Sequence, residues 1–262
     1  MFQRTHNHKR RTTWRAAALA GVLVAALAAT GCSQKQETVC KGQPEHLVLV
    51  PSTSKTDYDV SVALTPEVSE EVVRRAATSC GRVTVGIQDG RPAANLVLRS
   101  TVLKPEEGDE EAYNAGTVRD DLVDEGNEFA EANLIEPLAE TKPTGGSPFF
   151  SALAKIGEEL EAHDWSQGTI VLVGDGLVVE QSPGGGPKIR FGVEPIPPEA
   201  LDAFVPFLES LKGSCVILVG AGATSKLPQQ QIRASQQLMG ETLEKAGVGF
   251  VASRSPELPP GC

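Results

Sequence analysis

Apolar runs of strand length alternate along this chain with segments of helical period. His46–Val50 (HLVLV) is continuous enough for a strand buried on both faces. Thr65-Pro66-Glu67 then supplies an N-cap, a proline at the first helical position and an acid in the first turn, which predicts a helix from there to about Ser79. Arg82–Ile87 and Asn95–Leu103 read as strands separated by the turn signal Asp89-Gly90. That connection is too short for a crossover, so the two are expected antiparallel. Further along, Pro148–Ala162 reads as helix, Thr169–Val173 as strand and Pro198–Leu211 as helix. Cys215–Val219 follows as strand, Pro228–Ala246 as helix and Val248–Ala252 as the last strand. Ser182-Pro183-Gly184-Gly185-Gly186-Pro187 has the punctuation of a hairpin tip, and the tail from Ser255 to Cys262 is irregular.

Strand, helix, hairpin, helices and then three strands each reached through a helix define the class. It is α/β: an open, doubly wound, mostly parallel sheet of about six strands, with one antiparallel edge strand and helices on both faces. Residues 44–262 form this domain. Residues 105–140 differ in composition, with 13 acids and a single Arg, and with apolar positions at Tyr113, Leu122, Val123, Phe129, Ala130, Leu134 and Leu138. That spacing predicts one or two amphipathic helices inserted here with a strongly acidic outer face.

The amino-terminal stretch has a different character. A basic patch without acids (Arg4, Lys9, Arg10, Arg11, Arg15) precedes an apolar run, Ala16–Ala29. The run is too short to span a bilayer, which takes about 20 residues, but suits the core of a secretory signal. Ala29-Thr30-Gly31-Cys32 resembles the lipobox of bacterial lipoproteins. The resemblance implies cleavage after residue 31, acylation of Cys32 and an anchor on the extracytoplasmic face of the cell membrane, with 32–43 as a polar tether. Arg10-Arg11 admits the twin-arginine export route as well as the general one. Net charge is −10, and the first 31 residues carry five basic residues and no acid, so the remainder stands near −15. Such a charge excludes nucleic acid as a partner and repels anionic lipid.

Export also permits disulfides among Cys40, Cys80, Cys215 and Cys262. In a doubly wound sheet Cys40 and Cys80 both precede neighbouring strands, while Cys262 follows the strand beside the one that Cys215 opens. The expected pairs are Cys40–Cys80 and Cys215–Cys262. No Cys or His spacing resembles a zinc site.

Ligands of such sheets bind beyond the carboxyl ends of the strands. Three polar loops fall there: Pro51-Ser52-Thr53-Ser54-Lys55-Thr56, Gly145-Gly146-Ser147-Pro148 and Gly174-Asp175-Gly176. This layout resembles the von Willebrand factor type A domain over roughly residues 45–253, most specifically in GGSPFFSALAKIGEEL followed by TIVLVGDG. That family carries Asp-x-Ser-x-Ser after its first strand, a mid-chain Thr and a late Asp, which together form an adhesion site for magnesium or manganese. The resemblance places Ser147 at the Thr and Asp175 at the late Asp. In the first loop it breaks, with Pro51 at the first Asp, Thr53 at the first Ser and Lys55 at the last Ser. Three arrangements remain open. Lys55 takes the cation's place and pairs with Asp175; or Asp175, Ser147, Thr53 and Ser54 form a weakened magnesium or manganese site; or the loops share no role.

Gly220-Ala221-Gly222-Ala223-Thr224-Ser225 has Ser225 where a dinucleotide fingerprint needs its third glycine, and no phosphate loop or nucleophile elbow is present. The expectation is therefore not an enzyme and no resident cofactor beyond a weakly held cation. The resemblance implies a membrane-anchored binding or assembly protein with a protein partner. The alternative is a solute-binding lipoprotein of a transporter.

Overall fold

The computed structural model describes residues 36–89, 96–165, 167–181, 183, 188–190, 196, 198–223 and 228–259. Six strands form the central sheet: β2 (His46–Pro51), β3 (Arg82–Gly86), β4 (Leu98–Val102), β6 (Thr169–Val173), β9 (Cys215–Val219) and β10 (Gly249–Ser253). Their spatial order is β10-β9-β6-β2-β3-β4, parallel throughout except for β4, which runs antiparallel to β3 at one edge. The expected class holds, including the antiparallel edge. Two short ribbons lie outside the sheet, β1 (Glu37–Thr38) with β5 (Glu111–Ala112) and β7 (Val179–Gln181) with β8 (Lys188–Arg190). The second ribbon flanks the glycine-rich stretch expected as a hairpin tip, which apart from Pro183 lies outside the described residues, as does the Gly220 loop from Thr224 on.

Alternation along the central strands divides the core in two. Leu47, Leu49, Val171, Val173, Ile217 and Val219 face α1 (Tyr58–Ser79) and α2 (Ala115–Ala130). Val48, Val50, Ile170, Leu172, Val216 and Leu218 face α4 (Phe149–Ala162) and α6 (Gln229–Lys245). Both faces are covered, so Leu47–Val50, Ile170–Val173 and Val216–Val219 are apolar without interruption.

The helix expected to start at Thr65 starts at Tyr58, with Thr65 and Pro66 in its interior. Tertiary contacts override the local start signal. Val60 and Ser61 are buried, and the Ser61 hydroxyl donates to the Val173 carbonyl at 2.9 Å. The acidic segment is helical as expected: α2, a π-helical turn at Glu131–Ile135, and α3 (Glu136–Glu140). Pro137 has no N–H for the turn before it, and the helix widens there. Leu122, Ala130, Leu134 and Leu138 are buried, but Tyr113 is 68% exposed rather than in the core. The run expected as one helix at 198–211 is divided into α5 (Pro198–Asp202) and a 3-10 segment, Val205–Leu211.

Cys40 and Cys80 form the expected disulfide, with Cα atoms 5.2 Å apart. Together with the β1–β5 pairing and the fully buried Val39, it fastens the stretch expected as tether to the domain from Glu37 onward. Cys215 is also disulfide-bonded; Cys262, its expected partner, and Cys32 lie outside the described residues.

Candidate functional site

The chain leaves β2 still extended. Ser52 bridges to Gln88 on one side and Ser54 to Thr144 on the other, with Thr53 N–H donating to Gln88 O and Lys55 N–H to Thr144 O. Period-two alternation therefore runs on past the strand and sends Ser52 and Ser54 to one face, Thr53 and Lys55 to the other. On the Ser52 face sits Asp57, the residue before α1 and 1% exposed. Its Oδ2 accepts Ser52 Oγ at 2.6 Å, Ser54 Oγ at 2.6 Å and Ser147 Oγ at 3.2 Å. Its Oδ1 accepts the Asp175 N–H at 2.6 Å. Thr56 lies beside the group, its hydroxyl 3.0 Å from Ser54 Oγ.

Asp175 follows β6 in Gly174-Asp175-Gly176. A Cβ at Gly174 would lie 3.0 Å from Asp57 Oδ1, so glycine is what admits the Asp57 carboxylate to the Asp175 amide. Gly176 turns the chain at φ +77°, and Leu177 N–H donates to Asp175 Oδ1 at 2.8 Å. Among the described residues Asp175 Oδ2 is buried with no hydrogen-bond partner. Burial, and then the Asp57 carboxylate beside it, push the Asp175 carboxyl up to about 8.

Of the residues expected at the site, Ser54, Ser147 and Asp175 are brought together. Thr53 is not: its hydroxyl turns away to the Gln88 carbonyl at 3.2 Å. Lys55 does not pair with Asp175; it is exposed, on the opposite side of the loop. The loop turns Ser52 and Ser54, rather than Thr53 and Lys55, toward the cluster, and the carboxylate they meet comes from Asp57, further along the chain. Asp57 and Ser52 were both missed, although Asp57 is the first acid after β2.

Ser147 is held from a third direction. It exchanges two backbone hydrogen bonds of 3.1 Å with Val179 of β7. The next residue, Glu180, is 5% exposed and accepts Phe150 N–H at 2.8 Å, Ser151 N–H at 3.1 Å and Ser151 Oγ at 2.8 Å. Pro148 cannot cap α4 with its own side chain, so Glu180 does this from another element. Burial raises the Glu180 carboxyl to about 7 against these donors.

Two buried carboxylates facing one another need a proton or a cation between them. No group of three or more His, Cys, Asp or Glu is placed to hold a metal among the described residues. The donors around Asp57 and Asp175 are oxygen throughout, and Asp175 Oδ2 lacks a partner. That set suits a hard divalent cation and no softer metal.

Sheet order and a hydroxyl–carboxylate cluster at the carboxyl ends of β2 and β6 define a doubly wound α/β domain with its site on the sheet rim. No family model and no curated protein sequence matches the chain. Among solved structures it is similar to the PilB minor pilin of Streptococcus sanguinis, at 11% identity and TM-score 0.45, covering 82% of this chain and 59% of that one. It is similar also to the von Willebrand factor domain of a type V pili tip protein from Porphyromonas gingivalis, at 9% identity and TM-score 0.41, covering 81% and 91%. The pilus adhesin SpaC of Lactobacillus rhamnosus GG is matched at 12% identity and TM-score 0.47, over 85% of this chain and 29% of that one. The chain thus spans 59% of the minor pilin and 29% of the adhesin, less than two thirds of either.

Proposed function

We propose that the chain is a membrane-anchored, extracytoplasmic binding or assembly protein, and that the Asp57–Asp175 cluster takes magnesium or manganese when it engages a protein partner. The observation that carries this reading is the pair of facing, buried carboxylates with an unpartnered oxygen on Asp175. Asp57, Asp175, Ser52, Ser54 and Ser147 would hold the ion, which when bound supplies a positive centre for an acidic group of the partner. The role is binding rather than catalysis. The three serine hydroxyls converge on one acceptor, the Asp57 carboxylate, which orders them as a set of oxygen ligands.

Thermal unfolding in EDTA and then in magnesium or manganese tests this. Cation at about a hundred times its dissociation constant is expected to add roughly 2.7 kcal/mol of stability. Lys55→Ala is expected to keep the response and Asp175→Asn to lose it. An unchanged melting temperature in the parent at millimolar cation would remove the cation from the proposal.

The anchor is Cys32, a reading supported by the lipobox-like sequence and by the oxidised Cys40, Cys80 and Cys215, which fit an exported protein. No helix among the described residues is long and apolar enough to cross a membrane. Cells fed labelled palmitate are expected to label the parent and not Cys32→Ser. Equal label in both would refute acylation at Cys32.

A further inference from the structure

The opposite edge of the sheet carries a second feature, independent of the carboxylate cluster. Among the described residues β10 pairs with β9 alone. Gly249 N–H is turned inward to Ser214 O at 2.9 Å, and Ser253 O accepts Ala221 N–H at 3.0 Å. In a parallel ladder successive residues send their backbone groups to opposite sides. Phe250 and Ala252 therefore offer their N–H and C=O groups outward, along an edge that no described strand covers.

Where this edge ends, β10 and the first turns of α6 flank an open cleft of about 310 Å³ that Arg233, Arg254, Gln229, Gln236 and Ser253 line. Neither guanidinium meets a carboxylate among the described residues. Arg254 donates to Gln229 Oε1, a neutral acceptor that leaves its charge unbalanced. In a chain of net charge −10, two unbalanced arginines at the end of an open strand select an anionic group and fix where it sits.

We propose that β10 accepts an extended segment of a partner protein as an added strand, with a carboxylate of that segment seated against Arg233 and Arg254. Backbone hydrogen bonds along Phe250 and Ala252 supply affinity that is tolerant of sequence, and the arginines set register and specificity. The size of the cleft, at the small end for ligand sites, suits one acidic side chain or a chain terminus rather than a large ligand. The surrounding acidic surface turns the same segment away elsewhere.

The probe is a fluorescein-labelled peptide, Lys-Val-Thr-Val-Thr-Glu-Glu, followed by fluorescence anisotropy with the full chain. Saturable binding is expected. Replacing both glutamates by glutamine, or both threonines by proline, is expected to weaken it tenfold or more. Arg233→Gln and Arg254→Gln are each expected to do the same. Ala252→Pro removes an outward N–H without breaking a ladder bond, so it is expected to stay folded by circular dichroism and still bind tenfold or more weakly. EDTA is expected to change nothing, because the cation site lies at the ends of β2 and β6.

Absence of saturable binding at millimolar peptide overturns the proposal, as does equal binding of the glutamine peptide or by both arginine variants. A proline peptide as tight as the parent, displaced by inorganic phosphate, would make the cleft a free-anion site and overturn strand addition. A magnesium requirement would place the peptide at Asp57 and overturn it also.

Discussion

In EDTA, stability is expected to fall as pH rises from about 5 to about 8, with Asp175 contributing as much as roughly 4 kcal/mol of the fall, and Asp57→Asn is expected to flatten that part of it. Asp175 titrates at about 8 in the folded chain against 3.8 ordinarily, so within that window the folded state holds a proton that the unfolded state has released. A proton bound more tightly by the native state stabilises it most at the acid end. That stabilisation is lost as pH climbs through the folded value, at up to about 1.4 kcal/mol per pH unit. Glu180, raised from 4.5 to about 7, acts with the same sign over a narrower range. Asp57→Asn takes away the neighbouring charge and leaves only burial to hold Asp175 up, so the carboxyl titrates lower and the slope shrinks. Urea denaturation of parent and variant at pH 5, 6, 7 and 8 reads the difference directly, and other titrating groups cancel in it. Parallel profiles would mean that Asp57 does not govern the proton on Asp175. Saturating magnesium should flatten the parent profile, since a cation then does what the proton did.

The fold was legible where burial alone decides, and the site was not. Thr169–Val173 and Cys215–Val219 are the strands the sequence pattern outlines, with the same bounds, because a strand covered on both faces is apolar without interruption and stops where the cover stops. Local signals misled where tertiary contacts outweighed them. Thr65-Pro66-Glu67 is a complete helix start, but Val60 and Ser61 find buried partners a turn and a half earlier. In the first loop a single residue of register moved everything. A sequence does not say how far strand geometry continues past Pro51, and a shift of one sends each side chain to the other face. Thr53 and Lys55 were therefore expected at the cluster, on the face of the loop where the structure instead places Ser52 and Ser54. Glu180 had no local signal at all, since it caps a helix whose first residue lies about thirty positions earlier. The two-residue β1–β5 ribbon is too short for any periodicity to reveal.

Cys40→Ser is expected to be the costliest single change outside the site, at about 4 kcal/mol, with Cys80→Gly costing about 1 kcal/mol less. The bond spans 40 residues, and a cross-link closing a loop of that length removes about this much free energy of disorder from the unfolded chain. The loss extends to local structure as well. Without the bond, the segment through the fully buried Val39 keeps only the two-residue pairing of β1 with β5, the Val39 N–H to Glu110 O contact, the Lys41 N–H to Thr78 O contact and the Arg119 hydrogen bonds. Cys80 ends α1 in the left-handed region at φ 51°, a conformation that costs a residue with a Cβ roughly 1–2 kcal/mol and costs glycine little. Both variants lose the cross-link, but only Cys80→Gly recovers this strain, which is the source of the difference. Guanidinium denaturation of the two variants measures it, alongside the parent with and without reductant. Equal losses would show that the disulfide, not the backbone, accommodates the left-handed turn. If neither variant loses more than about 1 kcal/mol, the unfolded chain is already compact enough around residues 40–80 that the cross-link removes little disorder from it.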